Sequence, residues 1–242
     1  MVISAKSKSK KPKQLELDMP TWGGKRDNAG RKPNGPRSRV QHTVRQKFHR
    51  DHPIHVTLRM REGLPSLRHP GPWAVIVDAL KKSRGHFGMA VTDYSVMGNH
   101  LHLLVEAEGR ESLSRGMRGF VARLVKGLNR YFGCSGKVFA DRYHAHVLSS
   151  PLEVRRALAY VLLNYRKHAF AVGRRIVPHW LDPRSSALAF CGWRDPVTTP
   201  TPMPDLGVAE PRTWLRRVGW RRHGLLAFDE IPSAPEITRR TA

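Results

Sequence analysis

The chain has 242 residues, about one and a half times the common domain size, which predicts one main domain with extensions. Lys and Arg number 43 against 19 Asp and Glu, so the formal net charge of +24 favours nucleic acid or an anionic membrane as partner, and 40% hydrophobic residues exclude a wholly disordered chain. Two cysteines exclude a disulfide scaffold. The sequence has neither a hydrophobic leader nor an apolar run of about 18 residues, which predicts a cytoplasmic protein. Together with the charge, these features predict a protein that binds nucleic acid.

Residues 1–52 form a strongly basic first segment, with 14 Lys and Arg against 4 Asp and Glu. From Gly23 to Arg37 the segment is rich in Gly, Pro, Lys and Arg and almost free of large apolar residues, which predicts a flexible arm. Arg31 and Lys32 are candidates for contact with DNA along a minor groove. The alternative is a solvated tail without a specific partner.

A strand begins near Pro53, because apolar and polar residues alternate over 54–60. Helical spacing then predicts a helix over 73–82. A second strand over 87–97 and a third over 100–106 follow, and the Gly98-Asn99 turn between them is typical of a hairpin.

A long amphipathic helix is predicted over 110–132, followed by a fourth strand over 138–148. Ser150-Pro151-Leu152-Glu153 then has the pattern of a capping box and begins a further helix, which runs to about Phe170. The order β-α-β-β-α-β with an added C-terminal helix predicts an α+β, ferredoxin-like antiparallel sheet. The basic residues of the long helix are candidates for binding DNA phosphates: Arg115, Arg118, Arg123, Lys126 and Arg130.

The order of elements predicts a main domain over 53–172 and a C-terminal extension over 173–242 that is basic and rich in Pro, Trp and Arg, with a short helix over 214–218. Its aromatic and basic residues either stack on bases and bind phosphates or form a strap over the sheet. These residues are Trp214, Arg216, Arg217, Trp220, Arg221 and Arg222.

His100 and His102 are the first candidate site residues. In a strand, residues i and i+2 point to the same face, so both imidazoles face one side and can share one divalent ion. Two ordinary surface histidines are the alternative.

The capped helix carries the second candidate. Tyr160 and Asn164 lie one turn apart on one face, and Arg156 and Lys167 fall close to the same stripe. A tyrosine among cations suits a nucleophile beside a bound phosphate. The alternative is a tyrosine whose ring packs on the protein while its hydroxyl reaches water, with no role in catalysis.

Taken together, these residues resemble the HUH single-tyrosine transposases, and within them the REP-associated tyrosine transposase family. The resemblance lies in residues 94–105 (YSVMGNHLHLLV), 138–144 (VFADRYH) and 160–164 (YVLLN), and it covers about residues 53–170. Many family members have proline after the asparagine, whereas Tyr165 follows here.

The resemblance implies a ferredoxin-like catalytic domain that holds Mg²⁺ or Mn²⁺. It implies cleavage and rejoining of single-stranded DNA beside a hairpin through a 5′-phosphotyrosine intermediate. Carried over by position, His100 and His102 are metal ligands, Asn164 is the third ligand and Tyr160 is the nucleophile. The capped helix would then be the catalytic helix, and Arg156 and Lys167 would bind DNA beside it.

Other tyrosines and histidines are rivals for these roles. Tyr143 is the best rival nucleophile, while Tyr165 is predicted to point to the core side of its helix. Tyr94 and Tyr131 are predicted to pack. His144 and His146 share a strand face and suit either structural or DNA-contacting roles better than a second metal site.

Two other functions remain open. The first is a domesticated protein that binds DNA hairpins without significant catalysis. The second is a related HUH nuclease of replication initiation or conjugation, although nothing in the chain resembles a helicase or a second tyrosine pair. A covalent DNA adduct would distinguish the transposase from the binding protein.

Overall fold

The computed structural model describes residues 48–177, 179–198 and 200–232. The arm predicted over 1–52, including Arg31 and Lys32, falls almost wholly outside the described residues. No helix of the described part is long and apolar enough to cross a bilayer.

Four strands form one sheet in the order β2-β3-β1-β4, and every neighbouring pair is antiparallel. The strands are β1 (Ile54–Arg59), β2 (Met89–Val96), β3 (His100–Ala107) and β4 (His144–Val147). The helices are α1 (Pro70–Ser83), α2 (Arg110–Phe132), α3 (Pro151–Leu162), α4 (Asn164–Ala171) and the short α5 (Trp214–Arg217). The predicted α+β, ferredoxin-like succession β-α-β-β-α-β with an added helix is confirmed.

The two faces of the sheet carry separate cores. Because side chains alternate along a strand, Ile54, Val56 and Leu58 of β1 point to one face, where α1 and α2 cover them. The opposite face of β1 carries His55 and Thr57. On this second face α3 packs together with the C-terminal extension, and their core includes Leu104 of β3. The predicted histidine face is therefore the α3 face.

Three predicted boundaries are wrong. The fourth strand spans only His144–Val147, because Phe139 makes an isolated bridge to Met60 and the chain bends before the ladder begins. Helix α1 begins at Pro70, because proline is compatible with a first helical position. The second strand begins at Met89, after a 3₁₀ turn over His86–Gly88 in which Phe87 has a φ of 59°.

The single helix predicted from Ser150 to about Phe170 is also wrong. Its start is correct, since the Ser150 hydroxyl accepts from the Glu153 N–H and completes a capping box. However, Leu163 has φ −107° and ψ 11°, which divides the helix into α3 and α4. On a continuous helix Asn164 would share the half-exposed stripe of Tyr160, whereas after the break Asn164 is completely buried.

The C-terminal extension packs on the α3 face through buried polar contacts. Arg216 makes a bidentate ion pair with Asp93 of β2, with both N–O distances at 2.7 Å. Glu106 accepts from the backbone and hydroxyl of Thr213 at the start of α5. Trp220 is fully buried, whereas Trp214 is 46% exposed. Arg216 and Trp220 are therefore part of a strap that packs over the sheet, whereas Trp214 lies on the surface.

We expect Arg216→Leu to destabilise the protein by about 3–5 kcal/mol, because it leaves the Asp93 carboxylate buried without its partner. Urea unfolding measures this change. Arg217→Leu is the matched control, because Arg217 is exposed in the same short helix and should change stability by less than about 0.5 kcal/mol. Equal effects of the two substitutions would show that the ion pair does not hold the extension.

Candidate active site

His100 and His102 lie at the start of β3, on the face that α3 covers. Their ring centroids are 4.7 Å apart and their rings are nearly perpendicular. Their partners across β1 are Arg59 and Thr57. The structure therefore brings the two predicted ligands together at one end of a central strand, where hydrogen bonding on both sides of β3 fixes the backbone.

One nitrogen of His102 is held and the other is unpaired. Its Nδ1 lies 3.1 Å from His55 Nε2 and 3.1 Å from Thr57 Oγ1, both on β1. Its Nε2 is buried and has no hydrogen-bond partner. A buried polar atom without a partner is uncommon in a native protein, and a lone pair placed in this way suits a metal ligand.

His100 is oriented by its neighbour in the turn. Its Nδ1 lies 2.8 Å from Asn99 Oδ1. An amide oxygen can only accept, so Nδ1 carries the proton and Nε2 keeps its lone pair. The exposed His168 of α4 lies beyond, with its ring centroid 6.1 Å from that of His100.

Tyr160 projects from the end of α3 towards His102 and His55. Its half-buried ring meets His102 edge-on at 5.2 Å and His55 at 5.8 Å. Lys167 Nζ lies 5.1 Å from the centre of the Tyr160 ring, so the predicted neighbourhood of these two residues is present. Burial raises the pKa of Tyr160 above its ordinary value, so the phenol is protonated in the free protein.

Asn164 is the first residue of α4, immediately after the break at Leu163. Its side chain has no exposed area, and neither its Oδ1 nor its Nδ2 has a hydrogen-bond partner. An amide buried in this way costs free energy unless a ligand satisfies it. The helix break thus buries an amide oxygen that has no hydrogen-bond partner and could bind a metal. This oxygen belongs to the residue four positions after Tyr160.

These residues fit a divalent metal ion. His102 Nε2 and Asn164 Oδ1 are unsatisfied, and His100 keeps a free ring nitrogen. Within the described ranges, no group of three or more His, Cys, Asp or Glu side chains is arranged to hold a metal, so the two histidines would need a further ligand of another type, for which the amide oxygen is a candidate. The amide oxygen is a type of ligand that Mg²⁺ and Mn²⁺ take, whereas imidazole nitrogens favour transition-metal ions. Because the set is neutral, a bound ion would keep its full charge for water and phosphate oxygens.

The histidines of this site are neutral at ordinary pH. Burial, reinforced by neighbouring imidazoles, lowers the pKa of His102 to about 2 and that of His55 to about 4. Burial, with smaller contributions from His168 and Arg59, lowers the pKa of His100 to about 4. A neutral imidazole is the form that binds a metal.

These lowered pKa values predict a loss of stability in acid. The unfolded chain takes up protons near pH 6.5 and the folded chain does not, so stability is present above pH 6.5 and is lost as pH falls towards about 4. His55 alone should contribute a loss of about 2 kcal/mol between pH 7.5 and pH 5.0. Urea unfolding of the metal-free protein and of His55→Phe at both pH values measures this contribution. The same pH dependence in both proteins would contradict it.

The rival tyrosines lie in other surroundings. Tyr143 is half-buried against the core of the α1 and α2 face. Tyr94 is fully buried, and the ring of Tyr131 packs over Gly71, which agrees with packing roles. The orientation predicted for Tyr165 is wrong, because the helix break turns its ring between Arg68, at 4.1 Å, and Trp180, at 5.3 Å.

The predicted DNA-binding residues fall into two groups. Arg156 is exposed on α3 and Lys167 adjoins Tyr160, so both lie on the side of the sheet that carries the candidate site. The cations of α2 lie across the sheet, since α2 packs on the opposite face. All are exposed except the half-buried Arg123: Arg115, Arg118, Arg123, Lys126 and Arg130. One DNA segment therefore reaches both groups only by passing round an edge of the sheet.

The residues that hold the two histidines were not predicted from the sequence. His55 and Thr57 lie on the polar face of β1, and the alternation of that strand was the available signal. Asn99 was read only as a turn residue. His146, one of the other histidines, lies on β4 directly opposite His55 of β1.

Neither a protein-family model nor a curated protein matches this chain. Among solved structures, the chain is similar to a REP-associated tyrosine transposase bound to a REP hairpin, with 17% sequence identity and a TM-score of 0.48. The aligned region covers 61% of this chain and 82% of the other. The geometry of the described side chains therefore carries the functional proposal.

Proposed function

We propose that this protein is a metal-dependent DNA strand transferase, a transposase of the single-tyrosine type with Tyr160 as nucleophile. The observation that carries the proposal is the contact of the Tyr160 ring with His102, whose buried Nε2 has no hydrogen-bond partner. The Asn164 amide, one helical turn further along the chain, is also buried without a partner. A buried imidazole and a buried amide that lack hydrogen-bond partners suit metal ligation, and a tyrosine in contact with that imidazole suits a nucleophile.

His100, His102 and Asn164 would hold Mg²⁺ or Mn²⁺. When bound, the ion would withdraw electron density from the scissile phosphate and stabilise charge on its oxygens. The chain's own contribution is to keep both imidazoles neutral by burial and to bury the Asn164 amide, which would supply the third ligand. This contribution is present before any ion binds.

Tyr160 would attack the phosphorus of a DNA phosphodiester. A bond forms between the phenolic oxygen and phosphorus, the bond from phosphorus to the 3′-oxygen breaks, and the phenolic proton passes overall to that 3′-oxygen. Attack by a 3′-hydroxyl on the phosphotyrosine reverses the exchange and joins strands. Lys167 lies close enough to the ring to favour negative charge on it during attack.

The substrate of this proposal is single-stranded DNA that forms a hairpin, as the sequence resemblance implies. Arg156 and Lys167 would bind the phosphates near the cleaved bond. Because the α2 cations lie across the sheet, they would bind a different part of the same DNA or a second segment. A net charge of +24 supplies the general attraction for phosphate.

Incubation with a labelled single-stranded hairpin from the flanks of the gene tests the proposal. We expect a protein–DNA band that survives denaturation and requires a divalent metal. Tight hairpin binding without such a band would favour the domesticated binding protein instead. Release of intact labelled DNA from the band by an enzyme that cleaves 5′-phosphotyrosyl bonds specifically would support attachment through a tyrosine phosphodiester.

The basic arm should contribute affinity and not catalysis. The logarithm of the DNA-binding constant falls linearly with the logarithm of the salt concentration, and each neutralised phosphate adds about 0.7 to this slope on a single strand and about 0.9 on a duplex. If three to five cations of the arm bind phosphate, a chain that begins at Asp51 should therefore show a slope that is smaller by about two to four. Cleavage at saturating DNA should be retained. Binding titrations across a salt series measure the slope. An unchanged slope would identify the arm as a solvated tail, and loss of cleavage would make it part of the site.

A further inference from the structure

His55 stacks against His102 from the neighbouring strand. The ring centroids are 5.2 Å apart with an interplanar angle of 27°, and His55 is 7% exposed. Its Nε2 and Thr57 Oγ1 both lie 3.1 Å from His102 Nδ1. We propose that His55 and Thr57 are positioning residues that fix His102 in the tautomer with its proton on Nδ1 and its lone pair on Nε2. The inference rests on the proposed function for the role of that lone pair.

The two tautomers of His102 differ in how many polar groups they satisfy. With the proton on Nδ1, the N–H has two acceptors within reach, His55 Nε2 and Thr57 Oγ1. With the proton on Nε2, a buried N–H has no acceptor. A buried N–H without an acceptor costs free energy, so the tautomer with the proton on Nδ1 is favoured.

The same reasoning fixes the proton of His55. If its Nε2 accepts from His102, its own proton lies on Nδ1. The opposite direction, with His55 Nε2 donating, would place the His102 proton on the unsatisfied Nε2. Both imidazoles of the pair therefore take the Nδ1–H form. In metal sites a partner on the far nitrogen of a ligand histidine orients the ring in this way.

The His102 Nδ1–H has two acceptors, so only a variant that removes both of them leaves this N–H without a partner. That variant combines His55→Phe with Thr57→Val. His55→Phe keeps a flat ring against His102 and Tyr160 but removes the acceptor, and Thr57→Val keeps the shape of the side chain. Each single variant leaves one acceptor. Thr57→Ser in the His55→Phe background restores the hydroxyl and should restore the wild-type behaviour.

The first readout is the tautomer itself, in the metal-free protein. Long-range proton–nitrogen NMR of protein labelled with ¹⁵N-histidine distinguishes the two forms by the nitrogen shifts of His102. We expect the Nδ1–H form in the wild type and in the serine-restored variant. The double variant should lose this form, in whole or in part. Retention of the same tautomer in the folded double variant would overturn the proposal.

The second readout is the affinity for Mn²⁺ alone, measured by calorimetry at one pH. The double variant should bind Mn²⁺ about 10–100-fold more weakly than the wild type. His146→Phe is the matched control, since His146 lies on β4 opposite His55 of β1 and on the same face of the sheet. The Mn²⁺ affinity of this variant should stay within about twofold of the wild type. Equal losses in the control and the double variant would indicate general damage to the sheet and would contradict a positioning role.

The two readouts separate the two proposals. A wild-type protein that shows the Nδ1–H tautomer but binds no Mn²⁺ would refute the metal site and the proposed function, while the positioning of His102 would stand. A wild-type protein that binds Mn²⁺ but has no preferred tautomer would leave the proposed function intact and refute the role of His55 and Thr57.

Discussion

Tyr160→Phe should abolish the covalent protein–DNA adduct. The substitution removes only the phenolic oxygen, so the ring contacts with His102 and His55 remain and the fold should be unaffected. Binding of the hairpin should stay within about threefold of the wild type, a change under roughly 1 kcal/mol, because charge supplies most of the attraction. Denaturing gels measure the adduct, and filter binding at one fixed salt concentration measures the affinity.

Two other tyrosines provide the comparison. Tyr165→Phe is the matched control, because Tyr165 lies on the adjoining helix but packs between Arg68 and Trp180. It should retain the adduct. Tyr143→Phe tests the rival nucleophile and should also retain it. If Tyr160→Phe still forms the adduct and Tyr143→Phe does not, the assignment of the nucleophile is wrong.

The three candidate metal ligands should be required for cleavage to a comparable degree. His100→Ala, His102→Ala and Asn164→Ala each remove one donor. Stabilisation of the developing charge by a metal is worth several kcal/mol, so each loss should slow cleavage by on the order of 10²-fold. Excess EDTA should stop cleavage in the wild type. Single-turnover cleavage of the labelled hairpin measures these rates.

DNA binding should survive both the substitutions and chelation, because the basic side chains lie outside the metal site. His146→Ala is the control for loss of an imidazole from this face, and it should affect cleavage much less than His102→Ala does. Undiminished cleavage in excess EDTA would remove the metal from the mechanism. Cleavage that depends on the two histidines but not on Asn164 would show that another group supplies the third ligand.

The regular pattern of the sequence predicted the succession of elements correctly. The alternation over 54–60 marks a strand with one apolar and one polar face, and Gly98-Asn99 marks a turn between two strands that are adjacent in sequence, so both features are visible in a short stretch of sequence. The same signals placed His100 and His102 on one face. The long helix ends at Phe132, where Gly133 takes a φ of 63°, as a C-terminal glycine predicts.

The break between α3 and α4 could not be predicted in this way. Leucine favours a helix, and the apolar spacing continues past Leu163. Long-range packing overrides this preference, since Leu163 and Asn164 are both buried after the break. The errors in the direction of Tyr165 and in the burial of Asn164 have the same cause.

The roles of His55 and Thr57 also depend on long-range pairing. Alternation predicts that both lie on the polar face of β1, but only the antiparallel register with β3 sets Thr57 opposite His102. The register of strands that are distant in sequence is set by which side chains the sheet buries on each face, which the local sequence of one strand does not determine. The contact between Tyr160 and His102 likewise depends on how α3 packs on the sheet.

The most direct measurement of the central claim is the identity of the residue that carries DNA. The covalent adduct formed with a single-stranded hairpin can be digested with protease and nuclease, and the modified peptide sequenced by mass spectrometry. The account predicts a nucleotide attached through a 5′-phosphate to Tyr160. A nucleotide on Tyr143 or on any other residue would contradict it, as would hairpin binding with no adduct in the presence of Mg²⁺ or Mn²⁺.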